Sequence, residues 1–150
     1  MSAPAELNDT LTGLASVLGE LAASVVEPVL TARKLGFGTF DLLAAVHAAE
    51  GRETQGQIAQ RMGIAPASLT EAVKSAVKRG LVDQLVVANN KRSRRIMLTS
   101  EGDAVLRECL ARLTQAEAMA VEGLTDQEQE LARAVLRRAN ANLHRFLNVD

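Results

Sequence analysis

Seven cations crowd one stretch of this 150-residue chain: Lys74, Lys78, Arg79, Lys91, Arg92, Arg94 and Arg95, with Asp83 the only acid between Lys74 and Arg95. Ammonium and guanidinium groups in such a cluster point to no covalent chemistry. They donate charge-assisted hydrogen bonds to anionic oxygens, phosphate above all. Groups able to move protons or electrons are few: one cysteine, Cys109, and two histidines, His47 and His144. No glycine loop is shaped to cradle a nucleotide phosphate, no nucleophile stands at a base's spacing, and no ligand set has metal spacing. Glu50 and Glu53 flank Arg52 in a loop, where no catalytic role is needed to explain them. The residues therefore predict a binding protein, not an enzyme, with no cofactor and no metal.

The formal charge is −1, from 17 basic and 18 acidic residues. The cationic window alone is +6, which leaves −7 on the rest. A polyanion-binding face on an otherwise acidic surface confines contact to that face. Apolar residues make up 47% and charged residues 23%, a globular composition long enough to bury a core without a disulfide. The uncharged apolar run from Leu21 to Val26 is far short of a membrane span. The first thirty residues carry Glu6, Asp9 and Glu20 but no Lys or Arg, unlike a signal or transit peptide. A cytoplasmic protein with no membrane partner is the expectation.

The elements that must position the cations follow from periodicity. Phe37, Phe40 and Phe146 are the only aromatics, so the core is aliphatic and suits packed helices. Leu7, Leu11, Leu14, Leu18, Leu21 and Val25 alternate spacings of four and three, a heptad-like seam on a long N-terminal helix that Pro28 kinks or ends. Gly36 and Gly38 break the chain before a helix from Thr39 to about Glu50, with Phe40, Leu43 and Val46/His47 on one face. Thr54 caps a helix over Gln55 to Met62, which Gly63 stops. Pro66 opens another, running to Arg79 and ending at Gly80, with Leu69, Val73 and Val77 inside. Leu81–Ala88 and Arg94–Leu98 read as two strands joined by a polar tip, a β-hairpin. Thr99 or Ser100 caps a long helix to about Gly123, striped by Leu106, Leu110, Leu113 and Ala116/Ala120. Thr125 and Glu128 have capping-box spacing before a last helix lined by Leu131, Val135, Ala139, Leu143 and Phe146.

The fold class is thus mainly α with a small β-hairpin, and the cations fall on the second helix of a helix-turn-helix and on the hairpin after it. A helix fits the DNA major groove, and cations at a hairpin tip reach phosphates or the minor groove. The order of elements and the residues resemble the MarR family of bacterial transcription regulators. The matching stretches are Phe40-Asp41-Leu42-Leu43, Ile58-Ala59-Gln60-Arg61-Met62-Gly63-Ile64, Lys78-Arg79-Gly80-Leu81-Val82, and Asn90 to Thr99 with Gly102 three residues on. The resemblance implies a single MarR-like domain over 1–150. Residues 37–99 would form a winged helix-turn-helix, and 1–35 and 100–150 would be dimerisation helices. The homodimer would read a pseudo-palindromic double-stranded operator, as a repressor released by a small-molecule effector.

Residue by residue, the resemblance puts Arg92 in the minor groove, with Asn90 where the family has Asp. It sets Ser68 and Thr70 against bases or phosphates, and Leu69 and Val73 on the buried side of the recognition helix. Lys74 is the phosphate partner one turn on, and Lys91 and Arg94 complete the DNA-binding set. His47 lies near the family's effector pocket and reads otherwise as a core or half-buried histidine. Cys109, mid-stripe in the penultimate helix, reads as a buried free cysteine. Pro66, Ala67 and Glu71 depart from the family's polar or basic choices. They favour a rival reading, a winged-helix dimer that serves as a protein-interaction module without specific DNA binding.

Overall fold

The computed structural model describes residues 9–87 and 90–147, with residues 87 and 90–93 described by backbone alone. Among the described residues the elements follow in order: α1 (Leu11–Ala32), α2 (Phe37–Ala49), α3 (Gln55–Met62), α4 (Pro66–Lys78), β1 (Val82–Val87), β2 (Asn90–Leu98), α5 (Ser100–Ala120) and α6 (Asp126–Leu147). The chain divides into two compact units, one up to Thr114 and one from Gln115 onward, with the boundary inside α5.

Local signals set the helix ends closely. The Thr54 hydroxyl accepts from the Gln57 amide while the Gln57 side chain accepts from the Thr54 amide, a closed capping box at the start of α3. Gly63 ends that helix at φ 65°, the left-handed conformation that costs glycine least. Pro66 opens α4, where its missing N–H would have had no helical partner anyway. Helix α2 begins two residues earlier than the glycine pair suggests. Gly36 takes the extended cap position and Gly38 is absorbed into the first turn. Pro28 does not end α1, which continues to Ala32.

The expectation of no span-length apolar segment is corrected by α1. It is long and apolar enough to cross a membrane by length and composition, with a mean hydropathy of 1.5. Reading only the uncharged run from Leu21 to Val26 missed this, because Glu20 and Glu27 interrupt the run without breaking the helix.

The hairpin is antiparallel, pairing Val82 with Leu98, Gln84 with Ile96 and Val86 with Arg94, then shifting register at Val86/Val87 so that Val87 meets Asn90. Strand β2 therefore starts four residues before Arg94, inside the polar segment expected to be the tip. Ladder hydrogen bonds are made by backbone groups, so polar side chains do not stop the pairing.

The core gathers Val26, Val29 and Leu30 from α1, Leu42, Leu43 and Val46 from α2, and Ile58 from α3. Leu69 and Val73 of α4, Val82 and Ile96 of the hairpin, and Val105, Leu106 and Cys109 of α5 belong to it too. Two expected stripes are rotated slightly. In α4 Ala76 is buried and Val77 exposed; in α5 Val105 and Cys109 are buried while Leu110 is exposed. A close-packed module needs small or slim residues where helices approach, and Ala76 meets that need where Val77 would not.

The hairpin's two ends are tied to the start of α5. The Thr99 amide donates to Leu81 O at 3.1 Å, and its hydroxyl donates to Gly80 O at 2.6 Å. The Gly102 amide donates to the Thr99 hydroxyl at 3.1 Å. A Cβ on Gly102 would lie 2.0 Å from the Leu81 carbonyl oxygen, so only glycine fits there.

Candidate nucleic-acid interface

An open groove of about 450 Å³ lies between the start of α3, the exposed side of α4 and the hairpin. Gln55, Gly56, Pro66, Thr70, Lys74, Gln84 and Arg94 line it. Three residues expected to contact DNA, Thr70, Lys74 and Arg94, thus meet in one place although 24 positions separate the first from the last. The capping box sets the α3 end of the groove, the buried Leu69/Val73 stripe turns Thr70 and Lys74 outward, and strand pairing carries Arg94 back beside them.

The groove floor is a chain of hydrogen bonds. Arg94 Nη1 donates to Gln84 Oε1 at 3.2 Å, and Gln84 Nε2 donates to Gln55 Oε1 at 3.2 Å. Gln55 Nε2 donates to Thr70 Oγ1 at 3.1 Å, and Thr70 Oγ1 donates to Pro66 O at 2.9 Å. Gln55 and Gln84 did not stand out in the sequence. The signal was present at Gln84: strand alternation sets it on the same face as buried Val82, and a polar side chain on an inner face requires partners.

The cations sort into different tasks. Lys74 Nζ bonds Glu71 Oε1 at 2.7 Å on the exposed face of α4. Such a pair is weak enough for a phosphate to displace. Arg79 Nη2 donates to Arg33 O at 2.7 Å, and the Arg33 guanidinium binds Glu108 at 2.5 Å. Arg79, though exposed, therefore ties the end of α4 to the residue that follows α1. Arg95 Nη1 donates to Gly51 O at 3.1 Å, and Arg95 forms a bridge with Thr54, which anchors β2 to the α2–α3 loop. Lys78 and Ser68 are exposed, and Ser68 lies on the first turn of α4 outside the groove lining. The side chains of Lys91 and Arg92 lie outside the described residues; their backbone belongs to β2.

His47 is exposed in the last turn of α2 and is not among the residues that line the groove described above, which corrects the half-buried expectation. The buried face of α2 is made by Leu42, Leu43, Val46 and Ala49, and His47 falls to its outer side. Cys109 is buried and free of any disulfide. Burial holds its thiol above the usual value; neighbouring Glu108 pushes the same way, against Arg33 and Arg112. No cluster of three or more metal-binding side chains occurs among the described residues.

Residues 34–93, spanning α2 through the start of β2, match the model of the MarR family. The crystal structure of a MarR-family transcriptional regulator from a Rhodococcus species is 26% identical, covering 87% of this chain and 92% of that one, with a TM-score of 0.67. Over residues 34–93 the chain is similar to the MarR family. Two further MarR-like folds superpose over nearly the whole chain. PcaV from Streptomyces coelicolor, crystallised with its natural ligand, is 22% identical, covers 90% and 94% of the two chains, and has a TM-score of 0.70. MepR from S. aureus, crystallised with DNA, is 18% identical, covers 89% and 96%, and has a TM-score of 0.75. These two establish the shared fold: a mostly helical chain with an antiparallel two-stranded wing.

Proposed function

We propose that this chain is a cytoplasmic, homodimeric transcription regulator that binds a pseudo-palindromic double-stranded operator and represses transcription from it. The observation carrying this reading is the groove that joins Thr70 and Lys74 of α4 to Arg94 of the wing, in a module similar to the MarR family. A relative of the same fold, MepR, was crystallised with DNA. In this reading α4 enters the major groove, Ser68 and Thr70 face bases or backbone, and Lys74 exchanges Glu71 for phosphate. Lys91, Arg92 and Arg94 follow the flanking backbone and minor groove.

Dimerisation is supported by an exposed apolar face in each of two helices. On α1, Leu11, Leu14, Leu18 and Leu21 are each about half exposed or more. On α6, Leu131, Val135, Leu143 and Phe146 are exposed. A second copy covering such faces would hold two recognition helices at fixed separation, as a two-fold operator requires. The α1 face then meets protein and not lipid. Release follows if a small molecule binds better to a dimer whose helix spacing misfits the operator. PcaV was crystallised with its natural ligand, which supports an effector site of this kind.

The deciding experiment is a salt titration of binding to the gene's own upstream DNA and to random DNA of equal length. Specific regulation requires tighter binding to the upstream DNA and a steep fall in affinity with salt, from counterion release. Equal affinity for both would reject it and leave the protein-interaction reading, which Glu71 favours by neutralising Lys74. Replacing Arg92 by Ala should cost roughly 1–3 kcal/mol of specific binding, as for a groove-reading arginine. Lys74→Ala should weaken binding evenly across sequences and lower the salt slope by about 1.

A further inference from the structure

The hydrogen-bonded chain along the groove floor has the makings of a mechanical coupling. It begins on the wing at Arg94 and Gln84, crosses the first residue of α3 at Gln55, and ends on the recognition helix at Thr70 and the Pro66 carbonyl. Each glutamine amide uses its carbonyl oxygen on one neighbour and its NH₂ on the next. Thr70 accepts with the same hydroxyl oxygen whose proton it gives to Pro66. A hairpin of two strands is marginal by itself and needs tertiary contacts to hold one orientation. At its base those contacts are the Thr99 and Arg95 anchors. Between those two anchors, at the Gln84–Ile96 rung, Gln84 joins the hairpin to α3 by its bond to Gln55, and Arg94 two rungs farther out is bound in turn to Gln84.

We propose that Gln55 and Gln84 are positioning residues. They lock the wing against the recognition helix and set the distance at which Arg94 and Thr70/Lys74 engage a duplex together. This rests on the DNA-binding reading above and adds the determinant of its specificity. Thr70 then acts less as a reader of bases than as the relay's terminus, because the Gln55 and Pro66 bonds already occupy its hydroxyl. Arg94 spends one of its five N–H donors on Gln84. That bond orients the guanidinium plane and leaves the other donors to phosphate. A locked wing favours operators whose groove width matches the spacing; an unlocked one still finds phosphates but discriminates less.

The test compares Gln55→Ala, Gln84→Ala and the double variant with the wild-type protein. Affinities for upstream and random DNA are measured beside melting temperature and amide hydrogen exchange of β1 and β2. Coupled residues are non-additive. The double variant should therefore lose no more discrimination than either single one, by roughly three- to tenfold, the effect of one net hydrogen bond. Random-DNA affinity and melting temperature should stay near wild type, while exchange of the wing amides speeds up without DNA. Thr70→Ser, which keeps the hydroxyl, should restore what Thr70→Val loses.

Additive losses would mean independent DNA contacts and overturn the relay. Equal losses on both DNAs would do the same. If the wild-type protein itself failed to discriminate, the regulator reading and the specificity role would fall together. Wing exchange would then decide the lock alone, and unchanged exchange would overturn that too.

Discussion

At Gly102 a single missing atom group permits the fold. A Cβ there would meet the Leu81 carbonyl at 2.0 Å, and the obstacle is backbone that cannot swing aside. Gly102→Ala should destabilise the chain by about 1–3 kcal/mol, the usual cost of overpacking, and lower the melting temperature followed by circular dichroism. Cys109 illustrates the opposite case, a reactive atom kept inert. Buried and held neutral by its surroundings, it should resist iodoacetamide in the folded protein at neutral pH and react once denaturant is added. Rapid labelling of the native protein would contradict that placement. The cations show why charge by itself assigns no role. Arg79 and Arg95 belong to the same cluster as Arg94, yet both are spent on carbonyl oxygens of the protein.

Helix ends govern the elements. The Thr54–Gln57 box fixes the start of α3 and with it the position of Gln55. Thr54→Ala should cost about 0.5–2 kcal/mol, as lost N-caps do, measured by denaturant unfolding. At the other end of the chain, the Thr125 amide and hydroxyl both donate to Glu128 and hold its carboxyl below the ordinary value. The folded pKa lies below the unfolded one, so the cap's support is complete above the unfolded value. It is lost as pH falls through the folded value. An NMR titration of Glu128 should show the depressed midpoint, and Thr125→Ala, which removes the hydroxyl but keeps the backbone amide, should return it only partway.

For the whole molecule, the exposed leucines of α1 weigh more than any single contact. Four apolar side chains on one helix face form a patch that a soluble monomer rarely leaves open. Replacing Leu14 and Leu18 by Asp should shift the protein from dimer to monomer in sedimentation equilibrium. It should also lower operator affinity by far more than binding to a single half-site. A wild-type protein that sediments as a monomer would refute the dimer. The distribution of charge acts at the same scale: the window from Lys74 to Arg95 is +6 and the rest of the chain −7, which favours a polyanion at the window over the remainder taken as a whole.

The helices from Thr54 to Gly80 could be read from the residues almost to the position, because caps, a left-handed glycine and an N-terminal proline act within a few residues of themselves. The hairpin, the aliphatic core and the apolar seams were legible for a related reason, since periodicity of two or about 3.6 follows from local geometry. Other features depend on atoms far apart in the chain. The register of β2, the rotation that buries Ala76 in place of Val77, and the outward turn of His47 were set by packing. The joining of Arg94 to Thr70 through Gln84 and Gln55 was decided the same way. A glutamine carries no pattern of its own, and its role depends on which donors and acceptors the fold brings within 3.2 Å. Local sequence chose the pieces of the interface, and only tertiary packing decided which cations face a ligand and which hold the protein to itself.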